Sequence, residues 1–441
     1  MKKALSAALA IVMVLTMATG CKKSTADVDA QGRTNLLIGL PGGDGVTAMK
    51  IVDNFKAATA DKYNVTTDEG AWSDFTKKVK LQIVAKDGVT PVFFSDSEQV
   101  FSFGAEGAAL DLKDWIDKTF DATKYNKALY GVKDEVTDPG TTHVWGVPHA
   151  LNSIAMIYNK DIFDKYGVAY PTDDWTFDDM FEIARKLTKD TNGDGETDIW
   201  GIDYYHNVTQ GWLPFMLAYG ANPYRDNFRN ANLDDPKVLE AMQAMRAPME
   251  EGICIPDADR QAGGGAAIVF GDGKVAMSLM QYAGLGALNK NYPDLNYDAV
   301  IMPYGPSGSR PCVYVPNSWM IYSGASEKVQ AAALDFLAYY LSEEAQMINA
   351  KECPSGFPVL KAALEVSGEG KKPAATDAFF KGIDEHGSSI LENPVSSKAS
   401  GIMNGVGGAA KNYEKQPDLA EYLAEQNKKL QAELDFYYEG L

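Results

Sequence analysis

At 441 residues the chain is too long for one ordinary hydrophobic core, so two lobes are the expectation. Its composition, 45% hydrophobic, 23% charged and 11% aromatic, is that of a globular protein. A net charge of −19 argues against nucleic acid and against a polybasic membrane patch, and it names no ligand.

The N-terminus carries a processing signal. Lys2-Lys3 form a basic region, Ala4–Met17 an apolar stretch short for a bilayer span, and Ala18-Thr19-Gly20 a run of small residues. Residues 1–20 therefore read as a signal peptide. Cys21 follows at once, and small-small-Cys after such a leader resembles a bacterial lipoprotein lipobox, with Ala18 where Leu is usual. That resemblance implies a lipidated Cys21, a tether over residues 21–34, and an extracytoplasmic protein anchored to the outer face of the cell membrane. An ordinary secretory leader with an incidental Cys is the alternative. The other cysteines, Cys254, Cys312 and Cys353, allow at most one disulfide and lack metal spacing.

Asn35–Leu40 reads as a first strand, broken by Pro41-Gly42-Gly43-Asp44-Gly45 and followed by a helix over Val46–Ala60. The turn lacks the Lys-Ser/Thr of a phosphate loop, so its glycines serve a turn or let backbone approach a ligand, with Asp44 a candidate contact. Trp72 precedes Ser73, a candidate N-cap for a helix with Phe75, Val79 and Ile83 on one face. Thr90–Ser95 is a buried-type strand, followed directly by Asp96, Ser97 and Glu98. Ligands of open α/β sheets sit outside the carboxyl ends of strands, which makes these three candidates.

Val144–Val168 organises the chain. Val144–Leu151 is apolar and aromatic with Gly146 and Pro148, Ser153–Lys160 is a second apolar run, and Asp161–Tyr166 is a short helix stopped by Gly167. Thr176 with Asp179 then opens a helix through Phe177, Met180, Phe181, Ala184 and Leu187. The stretch YNKDIFDKYGV followed by YPTDDWTFDDM resembles the crossover of the family 1 extracellular solute-binding proteins, the sugar receptors of ABC importers. DGVTPVFFSDSEQVFSFGAEGAALDL and FGDGKVAMSLMQYAGLGAL resemble further segments of that family, and the likeness runs from Leu36 to about Ala362.

The resemblance implies an α/β, two-lobed periplasmic-binding-protein type II fold with three hinge crossings. Residues 35–150 plus 304–352 would form lobe 1, and 151–303 plus 353–441 lobe 2. Tyr297–Pro303 would be the second crossing strand, Tyr314–Tyr322 the strand after it, and Cys353–Pro358 the third crossing. Strand Val275–Met280 would put Gln281 and Tyr282 at its carboxyl end. Between helix and strand, Asp190, Asn192, Asp194, Glu196 and Asp198 fall at positions 1, 3, 5, 7 and 9 of a calcium loop, although Gly201 replaces the bidentate Glu at position 12. A structural Ca2+ ion and a plain Asn-Gly-Asp-Gly turn are both open readings.

No nucleophile elbow or HExxH motif accompanies the four histidines, His143, His149, His206 and His386. Sugar binding asks for aromatic faces and for amides or carboxylates that meet hydroxyls. Trp72, Trp145, Trp212, Tyr282, Trp319 and Phe357 supply the first near the expected cleft, and Asp96, Glu98 and Asn317 the second. His149 in the crossing segment is a ligand contact or a structural histidine. Core packing is an equal reading for each aromatic. The expectation is a monomeric binding lipoprotein without catalysis or a required cofactor, capturing an oligosaccharide by hinge closure and delivering it to an ABC permease. A receptor for a peptide or polyamine, and a secreted glycosidase with a carboxylate pair from distant segments, are the rivals.

Overall fold

Leu36, Ile38 and Leu40 are all but inaccessible, and the strand they define, β1 (Thr34–Pro41), seeds the first of two sheets. The computed structural model describes residues 27–42, 45–138, 140–389 and 395–439. Cys21, the leader, most of the tether and Asp44 lie outside the described residues, as do the side chains of Trp72, Ser73 and Glu98.

After β1 come α1 (Gly45–Ala58), β2 (Tyr63–Gly70), α2 (Trp72–Ala85), β3 (Val92–Ser95) and α3 (Ser97–Ala105). β1 lies parallel between β2 and β3. The N-cap of α2 is Ala71 rather than Ser73, with no side-chain cap. Asp96 caps α3 by accepting from the Gln99 backbone N–H. The chain then reaches β4 (Val147–Pro148), where Pro148 ends the ladder by removing a donor.

Next, β5 (Asn152–Asn159) enters a second sheet, and α4 (Lys160–Tyr166) ends at Gly167 with φ +64°, the left-handed C-terminal geometry that favours glycine. A complete capping box between Thr176 and Asp179 opens α5 (Phe177–Leu187). The second lobe continues with β6 (Trp200–Asp203), α6 (Leu213–Ala218), α7 (Pro236–Glu250), α8 (Asp257–Ala262), β7 (Val275–Gln281), β8 (Tyr297–Val300) and β9 (Cys312–Val315). β7 runs parallel to β6 and antiparallel to β5, and both β8 and β9 pair with the other side of β5.

Two expectations are corrected here. Tyr297–Pro303 does not cross between lobes, because β8 pairs with β5 inside the second sheet. Tyr314–Tyr322 is not one strand: it breaks at Pro316-Asn317 into β9 and β10 (Ser318–Ile321), and β10 pairs with β3 and β4 of the first sheet. Pro316 has no N–H to continue the ladder of β9, so the chain changes sheets there. The return crossing therefore falls after residue 315, not before 304.

α9 (Glu327–Tyr340) and α10 (Glu343–Glu352) then complete the first lobe's packing. Residues 359–363 also pack on the first core, so the segment from 353 is shared between the lobes rather than belonging wholly to the second. β11 (Gly387–Ser389) pairs with β9, and α11 (Ser396–Lys411) and α12 (Leu419–Glu439) cover the second core. Cys254, Cys312 and Cys353 are buried thiols outside any disulfide. Among the described residues no helix is long and apolar enough to cross a membrane.

Candidate functional site

Three stretches of chain run side by side between the sheets. The His149 N–H donates to the Asn317 carbonyl at 2.8 Å, and Leu151 and Phe357 exchange both backbone hydrogen bonds at 2.9 and 3.0 Å. Asn152 and Ser153 pair in turn with Val315 and Tyr314. Residues 148–152 are thus the middle strand of a hinge, with 315–318 on one side and 356–357 on the other.

Both sheets turn parallel-strand carboxyl ends toward this hinge. Ser95, at the end of β3, pairs with Ser318, and Gln281, at the end of β7, pairs with Ile154. The gap between them is where an α/β layer binds ligands. Three amides border it, each half-buried. Asn317 Oδ1 accepts from the Ser97 N–H at 3.2 Å, and Asn152 Oδ1 accepts from the Ala283 N–H at 3.2 Å. Since a backbone N–H bonds only to the amide oxygen, both Nδ2 groups are turned away from these partners, and among the described residues neither has another. Gln281 donates from Nε2 to Thr209 Oγ1 at 3.1 Å, and its carbonyl end likewise has no described partner. Fixed at one end and free at the other, such amides are preorganised to meet hydroxyl groups.

The sequence-predicted contacts divide. Asp96, Gln281 and Asn317 lie at the gap, although Asp96 also accepts from Gln99 Nε2 at 3.0 Å. The backbones of Trp72, Ser97 and Glu98 begin α2 and α3 at the same end of the first sheet. Trp319 is wholly buried in the first core, and Trp212, 4% exposed, lies in the second. Tyr282 and Phe357 pack against each other, ring centroids 4.0 Å apart, in a third cluster, so they brace the hinge instead of facing a ligand. His149 is buried among Phe94, Trp319 and Tyr340, with Nδ1 against the Tyr340 hydroxyl. Its carbonyl accepts from Asn349 Nδ2 at 3.2 Å, and burial pushes the imidazole down to about 4. It is a neutral hinge residue.

Sequence reasoning missed Asn152, whose only signal is that it is the polar residue opening the strand after the crossover. It also missed the segment after β6. Below Tyr205 and His206 lies a buried ionic network. Arg260, 2% exposed, donates to Asp203 at 2.9 Å and Asp257 at 2.7 Å, and Lys411 reaches Asp257 at 2.8 Å. Burial pushes Asp257 up, but His206, Lys411 and Arg260 outweigh it and hold the carboxyl well below the usual range. The Arg260 guanidinium sits 3.9 Å from the Tyr205 ring centroid. Gly407 of α11 approaches the same loop so closely that a Cβ would meet the His206 carbonyl at 2.1 Å. Residues 203–206 are therefore rigidly placed beside the gap.

Oxygens of the expected calcium ligands Asp190, Asn192, Asp194 and Asp198 are engaged by the loop's own hydrogen bonds. Asp190 accepts from the Gly193 and Gly195 N–H groups at 2.6 and 2.8 Å, and Asp198 from Thr191 at 2.7 Å. Asn192 and Asp194 accept from the Asp194 and Glu196 N–H groups, each at 2.8 Å. Among the described residues no group of three or more His, Cys, Asp or Glu could hold a metal ion. The loop is closed by its own amides.

Two α/β lobes, three hinge segments and a polar gap at facing strand ends define a two-lobed ligand receptor. Residues 50–379 match the bacterial extracellular solute-binding proteins, and the chain belongs to that family. Members of that family are described as extracellular solute-binding proteins. A binding protein of Brucella abortus is 28% identical over 204 residues, 44% of this chain and 46% of that one, so the match spans about half the length of such relatives. Among solved structures, an ABC substrate-binding protein of Listeria monocytogenes in complex with cycloalternan shares the fold at a TM-score of 0.73. It is 21% identical, over 91% of this chain and 98% of that one. The sugar-binding protein MalE of Xanthomonas citri is similar at a TM-score of 0.75 and 15% identity, over the same shares of the two chains.

Proposed function

We propose that this receptor captures a carbohydrate, an oligosaccharide in particular, and delivers it to an ABC importer. The observation that carries the reading is the set of half-free amides, Asn152, Gln281 and Asn317, held at the carboxyl ends of both sheets around a three-segment hinge. Uncharged donors and acceptors in fixed positions suit hydroxyls. A peptide or polyamine would instead need a charge held ready for it at the gap, and the carboxylate there, Asp96, already accepts from the Gln99 N–H and Nε2 at 3.0 Å each. The solved relatives bound to cycloalternan or described as sugar-binding support the same substrate class. Closure about the hinge would bury the sugar and present a closed, loaded form to the permease, coupled to binding only through the sugar's preference for that form. A thermal-shift screen of sugars, polyols, peptides and polyamines tests this. A sugar-specific rise in melting temperature is expected, and stabilisation by peptides or polyamines alone would refute it.

The protein is further proposed to be a lipoprotein anchored through Cys21. Cys21→Ser should release it from membranes, and persistent attachment would refute the anchor. The Asp190–Gly201 loop is read as a self-closed turn. Calcium should leave the melting temperature unchanged, and a rise reversed by chelator would restore the metal reading.

A further inference from the structure

The lobes also touch away from the hinge. In the second lobe, a short hairpin pairs Tyr224–Arg225 with Asn230–Ala231, and at its tip Asp226, Asn227 and Phe228 have φ of +51°, +52° and +63°. Asn and Asp tolerate this left-handed region, but for a bulky Phe it is an outlier. Such a conformation persists only where surrounding contacts hold it. Here some of those contacts come from the other lobe. Asn227 Nδ2 donates to the Glu135 carbonyl at 2.8 Å, and Phe228 packs against both lobes' cores. Tyr438, near the end of α12, also packs against both, and the Arg229 guanidinium stands 4.4 Å from its ring centroid.

None of these residues belongs to the hinge or to the strand ends that carry Asn152, Gln281 and Asn317. Their contacts tie the two lobes to each other in the arrangement seen here. We propose that Asn227, Phe228 and Tyr438 form a strap that favours the closed arrangement before solute arrives, and so sets affinity without touching the solute. The affinity of a receptor scales with the fraction already competent to bind, so positioning residues of this kind act on the dissociation constant through closure. The inference rests on the hinge-closure reading of the function. Its first test needs no solute, so the two can fail separately.

The test compares the mature chain with the Asn227→Gly/Phe228→Gly double variant and with Tyr438→Ala. Glycine accepts positive φ without strain, so the double variant removes the contacts while leaving the hairpin free to turn. Small-angle scattering of the unliganded proteins should show the variants expanded relative to the wild type, for which a compact chain of this length predicts a radius of gyration of roughly 22 Å. For a solute found by thermal shift, Kd should rise about tenfold in the double variant, mostly through faster dissociation. Scattering curves superimposable on the wild type, or expansion with unchanged Kd, would overturn the proposal. Should the double variant fail to fold, Tyr438→Ala, at the last turn of the terminal helix, decides by the same readouts.

Discussion

Acidification should weaken the fold through one side chain at the hinge. His149 is 3% exposed, and burial pushes its imidazole down to about 4. In the unfolded chain the same group takes its proton near about pH 6.5. Because the folded value is the lower, its stabilising effect is full above about pH 6.5 and is lost as pH falls through about 4. At about pH 5 the difference amounts to about 2 kcal/mol, and at about pH 7.5 it is negligible. Urea unfolding of the wild type and of His149→Gln, which does not titrate, isolates this contribution from every other titrating group. Between about pH 7.5 and 5 the wild type should lose about 2 kcal/mol more than the variant, roughly 0.5 M in the midpoint. Equal losses would show that His149 is not held neutral in the hinge.

Two substitutions separate core from site. Trp319→Ala removes a wholly buried ring packed against Phe94, Phe336 and Tyr340, so it should cost about 3–5 kcal/mol and lower the melting temperature by about 4 °C. An unchanged melting temperature with weakened solute binding would return Trp319 to the cleft. Asn152→Ala should leave the melting temperature within about 1 °C and weaken solute binding about five- to tenfold, the worth of one or two hydrogen bonds. Unchanged affinity in a titration would remove the Asn152 amide from the site.

Local signals in the sequence were strong where one residue type has one structural use. The capping box of Thr176 and Asp179 and the left-handed Gly167 were both legible, and so was the crossover they flank. The resemblance supplied the two lobes. Pro316 was the only mark of the second crossing, and an otherwise apolar run from Tyr314 to Tyr322 concealed that β9 and β10 belong to different sheets. The aromatic candidates were less legible for a physical reason. Strands buried on both faces lack alternation, so nothing in the chain says which face Trp319 or Tyr282 takes. Trp319 goes to the core of the first lobe and Tyr282 to the Phe357 cluster. Asn152 and Asn317 become visible as a pair only once the crossings lie side by side.

The gap between the lobes should take up a carbohydrate without altering it. Calorimetric titration of the chain from residue 22 with linear and cyclic oligosaccharides, each recovered and analysed afterwards, tests this directly. Saturable one-to-one binding of at least one oligosaccharide, and its recovery intact, are expected. Heat from none of them, or recovery of hydrolysis products, would contradict it.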